Sequence, residues 1–218
     1  MKIEWIGHAC FRLTSQTGLR LITDPYQSGF RNIVNYGPIK ESADIVTVSH
    51  EHGDHNYVSA VAGSPTVVKG SGITRVKGIE FKGIAVYHDR AKGAERGPNI
   101  IFLFEVDGIR FAHLGDLGHP LLPEQLRELE STEVLFAPIG GPAATLELQE
   151  VIDLWESLKP GIVIPMHFRT AKCVFPKYGV DDLIRLRPGA KRVGASEVSL
   201  AKERLPSSTQ ILILEPLL

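Results

Sequence analysis

The stretch Ser49-His50-Glu51-His52-Gly53-Asp54-His55 constrains this chain more than any other. Three imidazoles and two carboxylates fall within six positions, directly after the β-branched apolar run Ile45-Val46-Thr47-Val48. A short continuous run of that kind reads as a buried strand. Its end would bring a tight turn of metal-type donors to the rim of a sheet. His50 and His52, two residues apart, can aim at one ion if the backbone stays extended. Asp54 and His55, past the glycine, can then face a second ion beside it. At this chain's own His and Asp content, the pattern H-x-H-x-D-H would arise by chance roughly 4 times in 10,000 such chains. An ordinary polar loop is therefore a poor account of it.

The first third reads as a β meander: Lys2–Ile6, Cys10–Thr14 and Leu19–Thr23 are strand-like runs separated by turn signals. Asp24-Pro25 stops the third, because proline removes a ladder donor and restricts the residue before it. Residues 27–44 have little periodicity and read as a loop; loops of that length often bind or cover ligands. Strands are expected at Thr66–Lys69, Ile73–Val76 and Ile79–Tyr87, the last running straight into His88. A polar, glycine-rich loop follows at 89–98. Asn99–Val106 and Ile109–His113 flank Asp107-Gly108, a favoured hairpin turn, and Gly115-Asp116 lies just beyond.

The second half alternates. A short helix is expected over Pro123–Glu130, with proline tolerated in its first turn, then a strand at Val134–Ala137. Leu148, Val151, Ile152, Trp155 and Leu158 have helical spacing within 145–159. Ile162–Ile164 is a strand, followed by Pro165-Met166-His167. A helix at Val180–Arg187 and a strand at Gln210–Leu214 close the chain. A strand-rich half followed by strand–helix alternation fits two sheets between helices, an α+β sandwich. With no linker to divide it, 1–218 reads as a single domain.

Candidate donors thus sit at strand ends throughout: His50, His52, Asp54, His55, His88, Asp116 and His167. Rigid sheets commonly build their sites there. The heptad resembles the H-x-H-x-D-H motif of the metallo-β-lactamase superfamily, and the match is complete. That resemblance implies a four-layer αββα sandwich with a two-metal hydrolytic centre. Carried over by position, one ion would take His50, His52 and His88, and the other Asp54, His55 and His167, with Asp116 between them. His113 rivals His88 as a strand-end histidine, but it lies too close to Asp116 to be a separate third element. His113 and His119 bracket Asp116, and either could orient a ligand or be a hydrogen-bonded structural histidine. β-Lactam-hydrolysing members with a cysteine ligand differ, since Asp116 holds that position, which argues against antibiotic hydrolysis.

Trp5-Ile6-Gly7-His8-Ala9 also resembles a turn of the branch that includes ascorbate-6-phosphate lactonase, where such a histidine lies near the metals. The resemblance continues through Asp24-Pro25, Glu95-Arg96-Gly97, Gly115-Asp116 and Pro165-Met166-His167. His8 is therefore a candidate catalytic residue, with stabilisation of its turn as the other role, and in two-metal chemistry Asp54 or a second metal-bound water could manage the proton. Asp24 is expected behind the ligands, since the following proline fixes a turn. Arg90, Lys92 and Arg96 follow His88 in one loop. Arg90 and Arg96 are candidates for an anionic substrate group, because guanidinium pairs bidentately with carboxylate or phosphate.

Imidazole and carboxylate donors without thiolate suit two Zn2+ ions, and Mn2+ or Fe could occupy similar sites. Two such ions would lower the pKa of a water from 15.7 to about 7 for attack on an acyl or phosphoryl centre. The expected activity is hydrolysis of a small ester or lactone, including phosphorylated ones. The alternatives are a phosphodiesterase and a metal-binding sensor without turnover. A net charge of −1 gives no reason to expect a nucleic-acid or membrane partner. The first residues lack the apolar core of a signal peptide. Cys10 and Cys173 make no disulfide framework, which suits a reducing cytoplasm.

Overall fold

The computed structural model describes residues 1–142 and 144–218. The chain opens with β1 (Lys2–Gly7), β2 (Cys10–Thr14) and β3 (Arg20–Thr23), followed by β4 (Ile45–Val48) and β5 (Thr66–Lys69). Next come β6 (Gly72–Val76), β7 (Ile79–Tyr87), β8 (Pro98–Val106) and β9 (Ile109–His113). The alternating half supplies α1 (Pro123–Leu129), β10 (Val134–Pro138), α2 (Leu148–Leu158), β11 (Ile162–Met166) and α3 (Val180–Leu186). β12 (Lys191–Arg192), β13 (Glu197–Ser199) and β14 (Gln210–Ile213) complete it. The strands form two mixed sheets, a six-stranded one in the order β13-β1-β2-β3-β4-β5 and an eight-stranded one in the order β12-β14-β11-β10-β9-β8-β7-β6. No helix among the described residues is long and apolar enough to cross a membrane.

Side-chain alternation along the first sheet explains the layering, because successive residues of a strand face opposite sides. Ile3, Trp5, Phe11, Leu13, Leu21 and Ile45 join one core with Phe81, Phe104, Phe111 and Phe136 of the second sheet. The intervening Ile6, Cys10, Ile22, Val46 and Val48 join a second cluster with Tyr26, Val34, Tyr36 and Ile39. β4 is therefore buried on both faces. In the αββα sandwich, the layer over this sheet is the segment 27–44, with a 3-10 turn at Val58–Ala60, in place of long helices. Over the second sheet, α2 buries Leu148, Val151, Ile152, Trp155 and Leu158, a helical apolar stripe.

Two boundaries differ by more than one residue from the pattern-based expectation. α2 begins at Leu148 rather than 145, because Thr145 is tied back to Gly141 and the Leu146 N–H donates to the Leu117 carbonyl. β11 runs on through Pro165 to Met166. Its neighbour β14 pairs only with Ile162 and Val163, so the missing proline N–H leaves no ladder bond unmade on that side. β12 and β13 are two- and three-residue edge strands with no periodic signal of their own.

Phe11 is fully buried between the sheets, its ring centroid 4.4 Å from that of Phe136. Phe11→Ala is expected to lower unfolding free energy by about 3–5 kcal/mol through lost transfer energy and a cavity. The denaturant midpoint should fall while the slope of the transition stays unchanged; an unshifted midpoint would show that the sheets do not depend on this contact.

Candidate metal centre

The candidate residues follow strand ends. β1 leads into His8, β3 into Asp24, β4 into the heptad, β7 into His88, β9 into Asp116 and β11 into His167. Several of these turns need unusual backbone: His8, Asp24 and His167 have φ of 54°, 36° and 51°. Non-glycine residues seldom adopt such values, and they concentrate where a chain must aim a side chain. The His8 turn is held by its own carbonyl, which accepts from Trp5 Nε1 at 3.0 Å and from the His167 N–H at 3.1 Å. Gly115 combines φ 54° with tight space: an added Cβ would lie 2.3 Å from Asn99 Oδ1 and 2.7 Å from Ser49 Cβ. Only glycine lets the turn before Asp116 press against the heptad.

The donors converge in two groups. His50, His52 and His88 present one ligand atom each, all within 4.8 Å of one another, as do His8, Asp54, His55 and His167. Asp116 lies between them. Its Oδ2 is 3.1 Å from Nε2 of both His88 and His167, 3.3 Å from His55 Nε2 and 3.9 Å from His50 Nε2. The structure thus brings together all seven expected donors and adds His8, whose Nε2 lies 3.3 Å from Asp54 Oδ2.

A carboxylate and a hydroxyl behind the heptad set the imidazole orientations. Asp24 Oδ1 accepts from the Ser49 N–H at 2.8 Å, and Oδ2 accepts from Ser49 Oγ at 2.5 Å and from His55 Nδ1 at 2.9 Å. Ser49 has one hydroxyl proton, and Asp24 takes it. The hydroxyl therefore accepts from His50 Nδ1, 2.9 Å away. Both Nδ1 atoms carry hydrogen in this arrangement, which leaves each Nε2 to face the centre. Carboxylates and hydroxyls commonly orient metal-binding histidines in this way.

Among the described residues, Nε2 of His8, His50, His55 and His167 and Oδ1 of Asp116 are buried without a hydrogen-bond partner. Each such atom costs about 1–3 kcal/mol unless something else satisfies it. Divalent cations would satisfy all of them, and the nitrogen and oxygen donor set fits zinc. Electrostatics agree. Burial holds His50 well below the ordinary imidazole range and His52 below it, and burial with His167 nearby pushes His8 down to about 4. Neutral imidazole is the ligating form. Burial would raise Asp116, yet His167 and His55 hold it well below the usual carboxylate range. His55 is pulled down by burial but carried well above its ordinary value by Asp116 and Asp24. A field that favours a proton there also favours a cation.

The remaining histidines, His113 and His119, lie outside the two donor groups. His113 Nε2 donates to the Ala9 carbonyl at 3.0 Å, and its Nδ1 accepts from the Gly115 N–H at 3.2 Å. His119 Nε2 accepts from the Tyr87 N–H and its Nδ1 donates to the Pro120 carbonyl. Neither joins the donor groups. The centre opens into a cavity of about 390 Å3 whose wall includes Phe30, Arg31, Ile33, Glu95, Arg96 and Phe175. Arg96 is among the residues of that wall. Arg90 is not: it is absent from the lining, and its guanidinium pairs with Glu150 of α2. The loop turns after His88 because the Asp89 carboxylate gathers the N–H groups of Gly93, Glu95 and Arg96. That points successive side chains in different directions. Ser49, Asn99 and Arg31 were not foreseen; only Ser49, adjoining the first ligand, had a local cue.

Two sheets packed face to face, with an eight-residue histidine–aspartate centre at the strand ends, define a metal-dependent hydrolase class of site. The beta-lactamase superfamily domain model matches residues 2–167, and the chain belongs to the metallo-β-lactamase superfamily. A UPF0173 protein of Pyrococcus furiosus is 32% identical over 187 residues, covering 78% of this chain and 84% of its own. A UPF0173 metal-dependent hydrolase of Archaeoglobus fulgidus is 28% identical over 199 residues, with the same coverage. A Thermotoga maritima crystal structure, assigned to the Zn-dependent hydrolases of this superfamily, superposes with a TM-score of 0.78. It is 34% identical and covers 98% of this chain and 99% of that one.

Ser49→Ala removes the hydroxyl between Asp24 and His50 without touching a ligand. Metal affinity, measured by competition with a chromogenic chelator, is expected to fall about 10- to 100-fold with the far-UV spectrum unchanged. Unaltered affinity would mean that the hydroxyl does not position His50.

Proposed function

We propose that this protein is a dinuclear zinc hydrolase acting on a small carboxylic ester or lactone, including phosphorylated ones. The observation that carries this reading is one Asp116 carboxylate oxygen seated between two groups of bare imidazole nitrogens at the floor of a cavity. His50, His52 and His88 would hold one ion, Asp54, His55 and His167 the other, and Asp116 would touch both. Such ions polarise a carbonyl and lower the pKa of water toward neutrality.

The chain's own groups would supply the rest. Asp54 and His8, with Oδ2 and Nε2 3.3 Å apart, would take up the proton of the attacking water and return it to the leaving oxygen. Burial holds His8 neutral, with the Cys173 thiol 3.7 Å from its Nδ1. Asp24 and Ser49 would keep His55 and His50 in register through the reaction. Phe30, Ile33 and Phe175 would limit water around the scissile bond. A cavity of about 390 Å3 is in the range that small-molecule substrates occupy. The reading takes 1–218 as one domain, supported by a core that runs from Ile3 to Leu214. Two buried free thiols, Cys10 and Cys173, support a cytoplasmic location.

Protein purified without added metal should contain close to two equivalents of zinc and hydrolyse members of a lactone, thioester and phosphodiester panel. Chelator dialysis should abolish turnover and zinc restore it. His52→Ala should lose first-site metal and activity by about two orders of magnitude or more while its circular dichroism stays native. Wild-type turnover by metal-depleted His52→Ala protein would sink the assignment, and silence across the panel would favour a sensor.

A further inference from the structure

Most arginines of this chain are paired with carboxylates, among them Arg12 with Glu4, Arg20 with Asp44, Arg75 with Glu80 and Arg90 with Glu150. Arg31, Arg96, Arg127 and Arg204 have no carboxylate partner among the described residues, and the first two line the cavity above the candidate metal centre. They come from loops far apart in sequence, and each is held in place. Arg96 has its backbone N–H bound to Asp89 Oδ2 at 2.8 Å and its Nη1 donating to the Pro142 carbonyl at 3.1 Å. Its other guanidinium donors have no such partner among the described residues. Arg31 and Asn32 are both left-handed, with φ of 47° and 58°. This reverses the chain so that Phe30, Arg31 and Ile33 all reach the cavity wall. The Arg31 guanidinium rests 5.2 Å from the Phe30 ring centroid.

We propose that the substrate carries a fixed negative charge, a carboxylate or a phosphate, beyond the bond that is hydrolysed, and that Arg31 and Arg96 hold it. The proposal rests on the hydrolase reading above and narrows its substrate class. A planar guanidinium matches either anion bidentately. Among the described residues of the lining, apart from Asp54 and Asp116 of the metal centre, two guanidinium groups face one carboxylate, Glu95. Apolar side chains beside them, Phe30, Ile33 and Phe175, would strengthen each charge-assisted bond by excluding water. Preorganised charges of this kind favour the anion over a neutral isostere, because the neutral ligand leaves them unpaired.

The test is equilibrium binding to the zinc-loaded protein by titration calorimetry, with probes that contain no cleavable ester. These are 4-oxopentanoate, 3-oxobutylphosphonate and the neutral 4-oxopentanamide. At least one anion should bind the wild type about tenfold or more tightly than the amide, and the tighter of the two identifies the natural group. That preference should weaken as ionic strength rises. Arg31→Gln and Arg96→Gln should each cut it several-fold and the double variant should bring it close to one, with zinc content unchanged. Lys92→Gln, in the Arg96 loop but outside the cavity lining, should leave it intact. No charge preference in the wild type, or one that survives in the double variant, would overturn the proposal by showing that the arginines do not read charge. Turnover of monomethyl and dimethyl succinate separates the two readings. Cleavage of both esters with charge-blind binding overturns the clamp alone. An arginine-dependent preference with cleavage of neither, and of no ester in the panel above, supports the clamp and overturns the hydrolase reading.

Discussion

The rest of the structure depends on keeping the Asp116 carboxylate buried beside the imidazoles of His50, His55, His88 and His167. A carboxylate out of water is costly unless a compensating charge or hydrogen bond meets it. Among the described residues, the cationic candidates within 4 Å of Asp116 are imidazoles, and several of their nitrogens are buried without a hydrogen-bond partner. Asp24 and Asp54 add two further buried carboxylates. The arrangement would be unfavourable in a chain meant only to be stable. It becomes sensible when dications complete it, since the burial that penalises the bare groups also strengthens their hold on a metal.

This requirement explains the rigidity around the centre. Left-handed residues at His8, Asp24 and His167, and the glycine at 115, appear where strands hand over to ligands. Such conformations persist only when the surroundings enforce them. The two sheets provide that enforcement through the aromatic core of Trp5, Phe11, Phe111 and Phe136. Asp24, Ser49 and Asn99 then transmit it to the ligands by hydrogen bonds. Stability of the sandwich and geometry of the centre are thus two views of one packing arrangement.

The rim is softer in its logic. Segment 27–44 covers the outer face of the first sheet with Val34, Tyr36 and Ile39 and sends Phe30, Arg31 and Ile33 to the cavity. One stretch therefore serves both as a structural layer and as part of the binding wall. A loop can do this because its side chains need not follow a single period.

Much was legible in the letters. Periodicity located β1 to β11 and the buried stripe of α2, because those patterns repeat within a few residues. The heptad, His88, Gly115-Asp116 and His167 stood out as donors at strand ends, because ligand chemistry belongs to residue type. Short edge strands β12 and β13 carried no such local pattern. Arg90 and Arg96 could not be told apart by sequence, since a carboxylate on distant α2 claims one and the cavity receives the other. By itself the sequence determined which groups could bind metal and the order in which strands would deliver them. Tertiary structure alone decided which groups meet, that Asp24 acts through Ser49, and which arginines stay unpaired. These depend on distances between segments far apart in the chain, and no local preference encodes a distance.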